Sequence, residues 1–139
     1  MSTNKIKYRK GYKYQLAEDL IIITPIIPKK KIVHEFFTLD IDGVLCVKRN
    51  YAWDGCSAIA YDTNTNMRAG CAHDSFFQMM RLGLLDRNTY FHQVNQFFHI
   101  ILLEDGMIKV RAWYYFKAVE NFSWSSTLAK EEPLVLIAP

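Results

Sequence analysis

The chain has 139 residues, half of them hydrophobic and 14% aromatic, which is enough for one domain with a packed core and excludes wholesale disorder. No apolar run approaches the roughly 18 residues that a membrane-spanning helix needs; the longest, residues 20–27, is broken by Thr24 and Pro25. The net charge of +3 is unevenly placed, with ten Lys/Arg against five Asp/Glu in residues 1–50 and seven against nine in residues 51–139.

The first four residues lead into alternating basic and aromatic positions rather than an apolar segment, so no secretory signal is expected and synthesis in the cytoplasm is. Around Gly11, the alternation of Lys5, Lys7, Arg9, Lys10 and Lys13 with Ile6, Tyr8, Tyr12 and Tyr14 predicts a short hairpin or two edge strands. The same interleaving is compatible with a nucleic-acid surface, a weaker reading because basic residues on edge strands also discourage aggregation. Residues 20–23, Leu-Ile-Ile-Ile, read as a strand covered on both faces. Pro25 and Pro28 end it, and Lys29-Lys30-Lys31 form a solvated turn.

Two apolar stretches, 35–41 and 44–48, flank Asp42-Gly43 and predict a hairpin with a type I′ turn. From Asn66 the period becomes helical. A first helix is predicted over about 67–82, ending at Gly83, with Ala69, Phe76, Phe77 and Met80 on its apolar face. A second, capped by Asp86, carries the stripe Tyr90, Phe91, Val94, Phe97, Phe98, Ile101 and Leu102 and stops at Gly106. A third, about 107–121, places Ile108, Ala112, Tyr115, Ala118, Val119 and Phe122 on one face. The tail, 131–137, reads as an extended segment able to join the sheet. The fold class is α+β: N-terminal antiparallel strands packed on about three C-terminal helices, in one domain with a loop over 53–66.

Candidate chemistry gathers at three places. The stretch Trp53-Asp54-Gly55-Cys56-Ser57 brings an acid, a thiol and a hydroxyl together after a strand. His73 projects from the apolar face of the first helix, where it must find a partner, and Asp74 borders that face. Asn95 borders the core stripe of the second helix. Three readings of this cluster stand. In the first, Asp54, Ser57, His73 and Asn95 form an internal hydrogen-bond network. In the second, Cys56 is a nucleophile, His73 its base, and Asp74 or Asn95 the orienting group of a small hydrolase. In the third, Asp54, His73 and Asp74 hold a metal. The first is preferred, so no cofactor or metal is expected.

Cys46, Cys56 and Cys71 are odd in number and lack CxxC spacing, so neither a disulfide framework nor a zinc site is expected, and Cys46 and Cys71 read as buried reduced thiols. His92 and His99 are two turns apart, too far for i, i+4 chelation, and read as exposed or interface residues, as does His34. Trp113 and Trp124 are expected to pack over the core edge; exposure of either would mark a partner surface.

Tyr51-Ala52-Trp53-Asp54-Gly55-Cys56-Ser57, followed by Arg68-Ala69, His73-Asp74 and Phe77-Gln78-Met79-Met80-Arg81, resembles the phage-encoded domain-of-unknown-function family 1353. Arg87, Val94 to Phe98, Arg111-Ala112, Tyr115 or Phe116, and Ala118-Val119 extend the resemblance over roughly residues 36–122. The resemblance implies a tailed-phage or prophage origin, a site in the virion or the host cytoplasm, and partners among phage or host proteins. It carries no activity. The chain departs from the family at Asn95, where the family has Asp, and the family admits Ala at the position of Cys56. Both departures count against an obligatory triad or metal site.

Overall fold

A computed structural model describes residues 5–9, 14–53 and 64–129, with only the backbone of Tyr8 and Arg9. Among the described residues seven short strands precede three helices, so the α+β arrangement is as the sequence predicts. Strands β1 (Tyr8–Arg9), β2 (Tyr14–Leu16) and β7 (Ala52–Trp53) form one antiparallel sheet in the order β1-β2-β7. Strands β3 (Leu20–Ile23), β4 (Ile32–Val33), β5 (Phe37–Leu39) and β6 (Val44–Val47) form a second, in the order β3-β6-β5-β4. The two strands expected on either side of Gly11 pair antiparallel, Tyr8 opposite Leu16, while Gly11 itself lies outside the described residues.

The β5–β6 hairpin also forms, with Phe37 opposite Val47 and Leu39 opposite Leu45, but its turn is not type I′. The Asp40 N–H donates to the Val44 carbonyl and the Gly43 N–H to the Asp40 carbonyl, so three residues rather than two make the loop. Only Gly43 among them has positive φ, +87°. That is the three-residue hairpin with a left-handed glycine closing a bulge. The position also demands glycine for space, since a Cβ there would lie 2.2 Å from the Thr24 carbonyl oxygen. Thr24 uses both its N–H (2.9 Å) and its hydroxyl (2.8 Å) to bond the Gly43 carbonyl, which brings the end of β3 against the turn.

Strand β3 is not covered on both faces. Leu20 and Ile22 are buried while Ile23 is 57% exposed, an alternation that the all-apolar sequence conceals. Branched apolar side chains suit a pleated strand even where one face is wet.

Helix α1 (Met67–Arg81) ends at Gly83, with φ +72°, and buries Ala69, Phe76, Phe77 and Met80 as expected. In helix α2 (Arg87–Glu104), the Asp86 side chain caps by accepting from the Thr89 N–H at 3.1 Å. Helix α3 (Lys109–Phe122) is the outermost, packing on α2 and on a short 3-10 turn, Trp124–Thr127. Its buried stripe is narrower than the periodicity suggests: Ala112, Tyr115 and Val119 are interior, whereas Ile108 and Phe122 are 66% and 82% exposed. These last two sit at the two ends of the stripe.

One apolar core joins both sheets to the helices. Polar bonds fix the layers: the Tyr51 hydroxyl donates to Gln78 Oε1 at 3.1 Å, and the Tyr90 hydroxyl to the Ile27 carbonyl at 2.6 Å. The extended tail expected over 131–137 lies outside the described residues.

Candidate functional site

His73 stands between two phenylalanine rings, Phe77 one turn along its own helix at 4.0 Å between centroids and Phe98 of α2 at 4.8 Å. Its Nε2 lies 2.7 Å from Asn95 Oδ1. Asn95, fully buried on α2, donates from Nδ2 to Glu120 Oε2 of α3 at 2.9 Å. The other oxygen of Glu120 meets Nδ1 of His92, whose side chain is 63% exposed. A single polar chain therefore crosses the helical layer, from α1 through α2 to α3 and back to the surface of α2.

The chemistry of the groups sets the direction of every bond. A carboxylate only accepts, so the amide must turn its NH2 towards Glu120 and its oxygen towards His73. The neutral His73 ring must then carry its proton on Nε2 to donate to that oxygen, which leaves the lone pair on Nδ1. His92 must likewise donate from Nδ1. All the hydrogens of the chain point towards Glu120. Part of the surface of His73 remains accessible, yet the ring is enclosed tightly enough that desolvation lowers its pKa to about 4, against the opposing pull of the Asn95 bond. The ring is neutral across the physiological range.

The cluster read from sequence is thus assembled in part. His73 and Asn95 are in direct contact. Asp74 is half-buried on α1 and takes no part in those bonds; its charge adds to burial in raising the pKa of Cys71. Asp54, Cys56 and Ser57 lie outside the described residues, so their part in the network or in a triad has no geometry here. Trp53, just before them, is in the core at 1% exposure. Cys71 is buried and Cys46 half-buried, and burial raises both thiols, which suits packing rather than nucleophilic attack. Among the described residues no three His, Cys, Asp or Glu side chains converge as a metal set.

Glu120 was not foreseen, and neither was the role of His92. Both look like surface residues of their own helices, and only the buried Asn95, which needs an acceptor for its NH2, hinted at a further partner. His99 stacks on Phe116 at 5.1 Å and His34 on Phe37 at 4.7 Å.

Three of the motif's arginines, Arg68, Arg81 and Arg87, tie elements together. Arg68, 5% exposed, closes on both oxygens of Asp105 (3.0–3.2 Å) and on Glu104 (2.9 Å), setting its one positive charge between two carboxylates at the C-terminus of α2, where the helix dipole disfavours them. These three line a cleft of about 510 Å3 together with Lys5, Ile6, Asn64 and Met67. Arg87 lies 3.7 Å over the Trp124 ring and donates to Thr127 Oγ1 and the Trp124 carbonyl, while Arg81 donates to the Ser126 carbonyl. Together they fasten the 3-10 turn. Trp124 accordingly packs at the core edge as expected, though 40% exposed, whereas Trp113 does not, at 54% exposed.

No protein-family model, curated protein or solved structure matches the chain.

Proposed function

We propose that the chain is a non-enzymatic binding module of a bacteriophage or prophage, virion-associated or directed at a host protein, in which the polar cluster is a lock between helices. The observation that carries this reading is the closed polarity of the chain His73–Asn95–Glu120–His92. One of its bonds ties α1 to α2, and the other two tie α2 to α3. A base with a pKa of about 4 is also poorly matched to taking a proton near neutral pH, where a general base works best with a pKa close to the operating value. The phage context rests on the sequence resemblance alone, carried by Tyr51 to Ser57, Arg68-Ala69, His73-Asp74 and the later motif residues up to Ala118-Val119.

A second reading, a small hydrolase attacking a peptide or cell-wall amide through Cys56 with His73 as its base, is favoured by one observation. Nδ1 of His73 has no hydrogen-bond partner among the described residues, and an Asn-oriented imidazole with a free lone pair is what such a thiol requires.

Alkylation of Cys56 by iodoacetamide, followed by mass spectrometry from pH 5 to 9, separates the two. The binding-module reading expects labelling that rises only towards the ordinary thiol range, about pH 8.5, and is indifferent to His73→Gln. Rapid labelling at pH 6 that collapses in His73→Gln would replace it with the hydrolase.

A further inference from the structure

We infer that the outward face of α3 is a docking seam for an acidic amphipathic helix of another protein, an inference that rests on the binding-module reading and names its partner class. Val110, Trp113, Tyr114 and Lys117 are spaced i, i+3, i+4, i+7 and share the side of α3 opposite the buried stripe Ala112, Tyr115 and Val119. Val110 is 71% exposed, Trp113 54% and Tyr114 58%. A two-turn seam with two aromatic residues at its centre has the composition of an interface hot spot. Its spacing is also that of a helix-on-helix contact.

Charge selects the partner. Helix α3 carries Lys109, Arg111 and Lys117, and no carboxylate among the described residues pairs with any of them. Its only acid, Glu120, is committed to Asn95 and His92. Lys117 Nζ rests 5.8 Å from the Trp113 ring, so a cation stands within the aromatic patch itself. A second copy of this chain, docking by the same face, would set three cations against three. A helix with apolar residues along one side and glutamates flanking them supplies both the cover and the counter-charge. Phosphates would answer the cations but leave Val110 uncovered. A bilayer would have to be entered by a face only two turns long.

The probe is an 18-residue synthetic helix with Leu at the seam positions and Glu beside them, titrated into the 15N-labelled full chain at low salt. Shift changes confined to α3 are expected, with at least about tenfold weaker binding for W113A and for K117E, and about tenfold weaker binding for the same peptide with Lys in place of Glu. Equal binding of the Lys peptide would overturn the inference, as would shifts that avoid α3 or no binding at all. So would α3 shifts produced by phosphatidylglycerol vesicles or by oligo-dT, or a chain that sediments as a dimer dissolved by W113A. Each of these leaves the binding-module reading to stand or fall on the alkylation of Cys56.

Discussion

Acid should weaken the fold through His73, and the size of the effect follows from its surroundings. In the unfolded chain the imidazole titrates near 6.5, whereas between Phe77, Phe98 and Asn95 its pKa is about 4. The shift is downward, so the unfolded state binds the extra proton first. The His73 contribution is intact above about pH 6.5, declines as the pH falls, and levels off below about 4. A shift of that size corresponds to about 3 kcal/mol in full, of which about 2 kcal/mol is lost by pH 5. Other groups also titrate there, and Glu120 and His92 belong to the same chain of bonds, so the measurement must isolate His73. Urea unfolding of the native chain and of His73→Gln at pH 7.5, 6, 5 and 4.5 does so, because glutamine can still donate to Asn95 Oδ1 but cannot be protonated. The advantage of histidine over glutamine should shrink by about 2 kcal/mol between pH 7.5 and 5. A difference constant to within about 0.5 kcal/mol would mean that His73 is solvated like a free imidazole, and the lock would have to be abandoned.

Asn95→Asp should cost about 2–4 kcal/mol at neutral pH by placing a second carboxylate against Glu120, and adding Glu120→Gln should restore most of it; additive losses in the double variant would refute the assigned bond directions. Gly43→Ala should lose at least about 2 kcal/mol in chemical denaturation, from the positive φ and the contact with the Thr24 carbonyl together, and a neutral result would show that the turn relaxes freely. Arg68→Met should cost about 3 kcal/mol, chiefly by stranding the largely buried Asp105, with 1 M salt recovering part of it. Trp113→Ala, in contrast, should move stability by less than about 0.5 kcal/mol, since its ring is mostly in solvent.

Much of the fold was legible because short-range chemistry governed it. Asp86 and Thr89 are three residues apart and make a cap, and Gly83 and Gly106 stop the helices by taking positive φ. The failures share a different cause. Whether Leu-Ile-Ile-Ile is covered on one face or two depends on what packs on β3, which the run itself does not encode. The Asp42-Gly43 pair gave the hairpin its place but not its turn type, because the ladder closes at Asp40 and Val44 rather than at the residues beside the pair. The periodicity of α3 named a stripe but not how much of it other elements would cover, and Ile108 and Phe122 at its ends are exposed.

The candidate site was legible to the same depth. The spacing of His73 from Phe76 and of Asn95 from Phe98 told which way each side chain leaves its own helix, and so that the two would face the same interior. What each would meet lay on another helix. Glu120 occupies a position on α3 that any surface acid might take, and no spacing within α3 distinguishes it. Yet an amide in the core has both a donor and an acceptor to satisfy, and His73 in its neutral form could serve only the oxygen if its proton sat on Nε2. The NH2 of Asn95 therefore required a second acceptor from outside α1 and α2. That requirement also accounts for asparagine rather than aspartate at position 95. Beside Glu120 an aspartate would oppose like charge, whereas the amide accepts from His73 on one helix and donates to Glu120 on another. Asn95 is the residue that joins the two halves of the site.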